Sequence, residues 1–111
     1  MKKVNKGWGH ELWIVNKKEY CGKLLFFNKG KICSFHRHEL KDETFYLQSG
    51  CILLRYSDDD NYKHEKILNP GDSFYVYPGL RHSMEALTDS ELFEFSTQHF
   101  DEYSYRIIKG D

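Results

Sequence analysis

Short stretches in which apolar and polar residues alternate, or in which β-forming residues run together, follow one another along the chain. Each is of strand length, and residues typical of turns separate them, as in Asn69-Pro70-Gly71-Asp72 and Pro78-Gly79. The predicted strands are Glu11–Val15, Lys23–Asn28, Ile32–His38, Thr44–Leu47, Cys51–Tyr56, Ser73–Tyr77, Ser83–Leu87 and Leu92–Thr97. No window keeps the apolar spacing of an amphipathic helix, so we expect helices only as a turn or two near the termini. The pattern predicts an all-β barrel of double-sheet, jelly-roll type.

Length and composition fit one folded domain. A chain of 111 residues is expected to form a single unit, residues 1–111, with one core, and the 16% of aromatic residues supply large buried areas to it. The 16 Lys and Arg against 17 Asp and Glu are mixed along the chain and form no basic patch. We therefore expect no nucleic-acid partner.

The sequence also gives expectations about membranes and the cellular compartment. Apolar runs such as 24–27 and Ile52–Leu54 are too short to cross a bilayer, and no apolar core of an export signal follows the first residues. The three cysteines are odd in number and lack C-x-x-C spacing, which fits neither a disulfide framework nor a zinc ribbon. We expect a cytoplasmic protein with reduced thiols and no membrane partner.

Candidate metal ligands come from three places in the chain. His36 and His38 are two residues apart, a spacing that points both imidazoles to one face of a strand. Glu43 opens the next predicted strand, and His82 follows the turn at Pro78-Gly79. Neutral imidazoles with one carboxylate suit a divalent transition ion. The cluster predicts a metal site.

Two spaced motifs carry a family resemblance. The residues Gly30, His36, His38, Glu43 and Gly50 stand at the spacing of the first signature of the cupin superfamily, and Gly71 through His82 is similar to the second. Departures are Tyr77, where the family usually has its first proline, and Ala86, where asparagine is common. The resemblance implies a cupin-type double-stranded β-helix with one divalent transition metal ion, Fe, Mn, Ni or Zn. It assigns that ion to His36, His38, Glu43 and His82.

The flanking segments resemble the phosphomannose isomerase-type cupins. The matching features are Trp8-Gly9 with Glu11 before the first predicted strand, and the run 92–97 followed by Asp101 and Arg106. This resemblance implies roles for Glu94 and Arg106, and an arginine fork suits phosphate oxygens. Ser34 and Leu53 depart from the glutamine and lysine that such isomerases often carry.

Several side chains keep two interpretations. Glu94 lies between Phe93 and Phe95 and faces either solvent or the interior, where a carboxylate with a raised pKa could serve as a catalytic base. Arg106 binds substrate, or it is a surface arginine paired with a neighbouring acid. Tyr75 lines the mouth and binds substrate through its hydroxyl, or it packs on the sheet. His10, His64 and His99 have no partnering spacing and are expected to be exposed.

Three functions are compatible with this sequence. The first is a metal-dependent isomerase or epimerase acting on a sugar or sugar phosphate, with Glu94 as the base and Arg106 and Tyr75 as substrate-binding residues. The second is an iron-dependent cupin dioxygenase, because three histidines and one carboxylate leave adjacent open coordination positions. The third is a noncatalytic cupin that binds a small molecule or carbohydrate. An inward titratable group beyond the four ligands would count against the third.

The resemblance also bears on partners. A sugar-like small molecule is the expected ligand, with Trp8 or Trp13 able to stack on a sugar face. Single-domain cupins commonly pair through their N-terminal strands, which implies a homodimer with Trp8, Trp13 and Tyr20 as aromatic anchors.

Overall fold

The computed structural model describes residues 1–111, apart from the side chain of Tyr103. The elements in chain order are β1 (Lys2–Lys6), β2 (Gly9–Asn16), β3 (Cys21–Phe27), β4 (Phe35–His38), β5 (Glu43–Ser49), β6 (Ile52–Ser57), β7 (His64–Leu68), β8 (Ser73–Val76), β9 (Arg81–Ala86), β10 (Ser90–Ser96), a single 3-10 turn (Asp101–Tyr103) and β11 (Ser104–Ile108).

These strands form two antiparallel sheets that face each other. One has six strands in the order β1-β2-β3-β10-β5-β8, and the other has five in the order β11-β4-β9-β6-β7. The core between them holds residues such as Phe27, Leu47 and Leu92 from the first sheet and Ile52 and Leu54 from the second. The predicted all-β, double-sheet jelly roll is confirmed.

The inner face of the six-stranded sheet has an apolar end and a polar end. Along β3 the inward positions read Cys21, Lys23, Leu25 and Phe27, because alternate residues of a strand share a face. The register places Glu94 of β10 directly opposite Lys23. One end of the barrel therefore closes as an apolar core, and the other end carries buried charges.

Three strands escaped the sequence analysis, namely β1, β7 and β11. Each lies at the edge of its sheet, and most positions of β1 and β7 are exposed. An edge strand exposed on both faces has no apolar alternation to reveal it. The predicted strand Ile32–His38 is also shorter than expected, since regular pairing begins at Phe35 and Ile32 makes only an isolated bridge to Glu85.

The three predicted anchors of a dimer interface differ in exposure. Trp8 is 7% exposed and stacks on Phe27 with ring centroids 4.2 Å apart, so it is too buried to anchor a partner. Trp13 lines the cavity, where Lys23 Nζ lies 4.1 Å from its ring centroid, and is half-buried. Tyr20 is exposed, and for Trp13 and Tyr20 the anchor role stays a prediction. Within the described chain, no helix has the length and apolar character needed to cross a bilayer.

Candidate metal centre and its cavity

Three imidazoles converge at the polar end of the barrel. His36 and His38 project from β4, and β4 pairs with β9 so that His36 stands opposite His82. One ring nitrogen from each of the three histidines lies within 4.8 Å of the others. The closest pair is His36 Nε2 and His38 Nε2, which are 3.2 Å apart. Strand alternation and one register pair are thus enough to assemble the triad.

The outer nitrogens of the same rings are held by neighbouring groups. His36 Nδ1 donates to the Ser34 carbonyl oxygen at 2.8 Å, and His82 Nδ1 donates to the Leu80 carbonyl oxygen at 3.1 Å. Because a carbonyl oxygen can only accept, these two rings carry their proton on Nδ1 and a lone pair on Nε2. His38 Nδ1 lies 2.7 Å from Ser104 Oγ, a hydroxyl that can accept from it. Such contacts orient metal-binding histidines in proteins.

The triad is uncharged at neutral pH. Burial lowers the pKa of all three histidines, and for His82 it lowers the pKa to about 3. Lys41 and the neighbouring rings lower the pKa of His38 further. Neutral imidazoles keep the lone pairs that a metal ion requires.

Glu43 completes the group as a buried carboxylate without a hydrogen bond. It is 1% exposed, and its Oε2 lies 3.7 Å from His38 Nε2 and 3.9 Å from His82 Nε2. Neither carboxylate oxygen has a hydrogen-bond partner among the described residues. Burial raises the pKa of Glu43, and the negative charge of Glu94 raises it further. Buried polar atoms normally have partners, so orphaned oxygens facing imidazole lone pairs fit a missing cation. The donor set supports a transition metal ion.

A second cluster of charges lies beside the triad. Lys41, in the loop between β4 and β5, is 5% exposed, and its Nζ lies 2.6 Å from Glu94 Oε2 and 3.8 Å from Glu43 Oε1. It also donates to His99 Nδ1 at 2.9 Å. Lys41 is the cation that links both buried carboxylates.

The sequence left two orientations open for Glu94, and in the structure its side chain points into the barrel. The sequence analysis expected a raised pKa for a carboxylate in this orientation, but the pKa of Glu94 is lowered. Burial alone would raise the pKa of Glu94, but the charges of Lys41 and Lys23 outweigh burial and lower it. Glu94 is therefore an ionised carboxylate inside the cavity at neutral pH.

The two clusters line one cavity of about 520 Å³. Arg106 is exposed at its rim, where β11 places it opposite His36 of β4. Tyr75 is not part of the cavity. It lies on the outer face of β8, 56% exposed, between the inward residues Phe74 and Val76. The interpretation of Tyr75 as a substrate-binding residue thus has no support from its position, because alternation along β8 turns it outwards.

Sequence reasoning missed Lys23, Lys41, Ser104 and His99. His99 was expected to be exposed, but its side chain is only 9% exposed and its Nε2 donates to Asp101 at 2.6 Å. His10 stacks on Phe26 with ring centroids 4.4 Å apart, whereas His64 is exposed as expected. A usable signal existed for Lys23, which is two residues from Leu25 on a predicted strand and therefore shares its inward face. Lys41 lies in the loop between β4 and β5, where strand alternation does not apply.

Comparisons with known proteins give family and fold. The model of the cupin domain family matches residues 24–95. A D-lyxose ketol-isomerase from a Thermofilum species is 30% identical over 114 residues, which cover 82% of this chain and 63% of that protein. An oxalate decarboxylase from Arthroderma benhamiae is 26% identical over 104 residues, covering 89% of this chain and 24% of that protein. The chain thus spans less than two thirds of either relative.

Three solved structures illustrate the shared fold. KdgF from a Halomonas species superposes with a TM-score of 0.79 at 18% identity, covering 92% of both chains. The capsular polysaccharide assembling protein CapF from Staphylococcus aureus gives 0.82 at 18% identity, covering 96% of this chain and 34% of that one. An oxalate decarboxylase variant from Bacillus subtilis gives 0.83 at 17% identity over 96% of this chain and 30% of that one. With the matched family model spanning most of this double-sheet barrel, the chain belongs to the cupin family.

Proposed function

We propose that this cupin is a metal-dependent isomerase or epimerase that acts on a sugar or sugar phosphate. One observation carries the proposal: a single cavity holds three converging imidazoles and the Glu43 carboxylate, whose oxygens have no hydrogen-bond partner among the described residues, beside an ionised, buried carboxylate, Glu94. Such reactions require a polarised oxygen and a base that moves a proton between adjacent carbons. The cavity has candidates for both.

His36, His38, Glu43 and His82 are the residues that would hold the ion. Their three neutral Nε2 lone pairs and one carboxylate make a donor set that suits Fe, Mn, Ni or Zn. A bound divalent ion supplies Lewis-acid polarisation of a hydroxyl or carbonyl oxygen.

Glu94 is the proposed base, and Lys41 positions it. Glu94 accepts a proton from one sugar carbon, the protonated carboxyl group exchanges that proton with solvent, and a proton is then delivered to the neighbouring carbon, so the enzyme is unchanged after each cycle. Lys41 donates to Glu94 Oε2 at 2.6 Å and Ser96 Oγ donates to the same oxygen at 3.2 Å. Both contacts engage Oε2 and leave Oε1 as the oxygen to which a substrate proton would be transferred.

The rim and walls of the cavity suit a sugar. Trp13 presents an aromatic ring to the cavity, and Arg106 offers a planar fork for a phosphate or hydroxyl at the rim. The relative named D-lyxose ketol-isomerase supports a sugar as the substrate. Inward Glu94 and Lys41 weigh against a noncatalytic binding module, because such a module has no need for buried charges beyond the ligands.

Metal analysis tests the site directly. We expect protein purified without chelator to hold about one equivalent of a transition metal per chain, and His36→Ala and His82→Ala to lose it. His64→Ala is the matched control, since His64 is an exposed histidine on β7. Elemental analysis measures all four proteins. A wild type that stays metal-free after reconstitution, or a His82→Ala variant that keeps its metal, would contradict the assignment.

The reaction is tested by proton exchange. Metal-loaded protein is incubated in deuterated water with D-lyxose, D-mannose and D-mannose 6-phosphate, and carbon-bound deuterium and new ketose or epimer are quantified by NMR. We expect both with at least one of these sugars, and neither after metal removal. Oxygen uptake is followed in parallel, because consumption of oxygen without exchange would point to the dioxygenase alternative. No exchange with any sugar in metal-loaded protein would overturn the proposed isomerase.

A further inference from the structure

A chain of hydrogen bonds runs from Glu94 to the edge of the cavity. Lys41 Nζ donates to Glu94 Oε2 at 2.6 Å and to His99 Nδ1 at 2.9 Å. His99 Nε2 donates in turn to Asp101 Oδ1 at 2.6 Å. The exposed fraction of the side chain is 7% for Glu94, 9% for His99 and 88% for Asp101. The chain of bonds thus joins a buried carboxylate to an exposed one.

Donor and acceptor chemistry fixes the direction of each bond. The Lys41 ammonium group can only donate, so Nδ1 of His99 carries a lone pair and the ring proton lies on Nε2. The Asp101 carboxylate can only accept, and it accepts from that Nε2–H. A carboxylate bonded in this way fixes both the tautomer and the orientation of an imidazole. Asp101 therefore prepares His99 to accept the hydrogen bond from Lys41.

The two loops that carry these groups are tied to each other and to the barrel. The N–H of Asp42 donates to Thr97 Oγ1 at 3.1 Å, and the N–H of Thr97 donates to the Asp42 carbonyl oxygen at 3.0 Å. At the end of β2, Asn16 Oδ1 accepts from the His99 N–H at 2.9 Å, and Asn16 Nδ2 donates to the His99 carbonyl oxygen at 3.3 Å. The backbone of both loops is thus held in place independently of the Lys41 and His99 side chains.

Lys41 lies between two buried carboxylates but bonds only one of them. Its Nζ is 2.6 Å from Glu94 Oε2 and 3.8 Å from Glu43 Oε1, which is beyond hydrogen-bond distance. A lysine side chain is a flexible four-carbon stem, so a second fixed partner restricts where its ammonium group lies. His99 is that second partner. The position of Nζ in turn decides which oxygen of Glu94 stays free.

We propose that His99 and Asp101 are positioning residues that hold Lys41 on Glu94 Oε2, so that Glu94 Oε1 faces the substrate. The inference rests on the proposed isomerase or epimerase function, in which Glu94 is the base. His99 and Asp101 act through Lys41 and carry no reacting proton themselves. Rate is sensitive to such placement, because a shift of about 1 Å in a reacting group can lower it about a hundredfold.

Exchange kinetics of Asp101→Asn and His99→Phe test this role. Metal-loaded protein is assayed with whichever of D-lyxose, D-mannose and D-mannose 6-phosphate wild type exchanges fastest. We expect kcat to fall about tenfold in Asp101→Asn and about a hundredfold in His99→Phe, with KM little changed. Asp89→Asn is the matched control and should keep the wild-type kcat. Asp89 is exposed at the apolar end of the barrel, where it accepts from the Lys29 N–H at 2.7 Å.

The tautomer of His99 gives a readout that does not depend on activity. Nitrogen NMR of isotope-labelled, zinc-loaded wild type should show one tautomer, with the proton on Nε2. In Asp101→Asn the new amide can donate as well as accept, so the second tautomer should appear. Because Asp101 is mostly exposed, this variant tests the inference even if His99→Phe does not fold. Circular dichroism melting verifies that each variant is folded.

Failure of this inference and failure of the proposed function give different results. A metal-loaded wild type without exchange would overturn the proposed function, and the positioning role with it. An active wild type with an equally fast, folded Asp101→Asn or His99→Phe variant would overturn the positioning role alone. So would a wild-type His99 with its proton on Nδ1, or a raised KM at unchanged kcat, since the latter is the result of losing a direct contact with substrate.

Discussion

Glu94→Gln is expected to lower the rate of carbon-bound proton exchange by about 10²- to 10⁴-fold, the usual contribution of a general base. The amide has nearly the shape of the carboxylate but cannot accept the proton. Because Glu94 is not one of the proposed metal donors, the variant should still hold about one equivalent of metal. The assay is deuterium incorporation into the sugar, followed by NMR, with elemental analysis of the same sample.

Glu91→Gln is the matched control for this experiment. Glu91 lies on the same strand, but it faces outwards and accepts a hydrogen bond from Ser49. The control should exchange protons at the wild-type rate. A Glu94→Gln enzyme that keeps its metal and its full exchange rate would exclude Glu94 as the base. Loss of the metal would instead assign Glu94 a role in holding the site together.

The convergence of the imidazoles is the part of the site that sequence alone could predict. His36 and His38 share a face because strand residues alternate, and this rule needs no tertiary information. His82 comes close to these two histidines because β4 pairs with β9, and no local sequence pattern predicts that pairing. Here the spacing of the two family motifs substituted for the missing long-range information.

The alternation of residues along a strand tells which side chains share a face, but it does not tell which of the two faces points into the barrel. Glu94, Phe93 and Phe95 alternate on β10, and hydrophobicity alone would place the two phenylalanines in the core. The structure buries Glu94 instead, because Lys23 stands directly opposite it and Lys41 reaches it from the loop. Only the partner strand and the loop reveal that compensation.

Loop residues were the least predictable. Lys41 and His99 lie outside any periodic segment, and their contact joins positions 58 residues apart in the chain. Ser104 reaches His38 across 66 residues. No local sequence pattern indicates such residues, because their contacts with the site form only when the barrel closes. The candidate ligands were thus predictable, while the groups that orient them were not.

Lys41→Met is expected to destabilise the protein by about 3–5 kcal/mol, the usual cost of removing one partner from a buried ion pair. Lys41 is 5% exposed and is the nearest cation to both Glu94 and Glu43. Methionine matches the length of the stem but leaves the ionised carboxylate of Glu94 without its closest compensating charge. For a chain of this size, the thermal midpoint should fall by about 15 °C or more. Denaturant unfolding of the metal-free protein measures the free energy.

Two further variants distinguish the loss of charge compensation at Glu94 from the general effect of removing a lysine. Lys63→Met removes a lysine whose ion pair with Asp59 is solvent-exposed, and it should leave the unfolding midpoint close to wild type. Lys41→Met combined with Glu94→Met should recover much of the lost stability, because replacing both partners of a buried pair by apolar groups is nearly neutral. A single Lys41→Met variant as stable as wild type, or a double variant no more stable than the single one, would show that Lys41 does not compensate these carboxylates. The expected recovery would instead identify Lys41 as the residue that allows a charged base to be buried beside the metal donors.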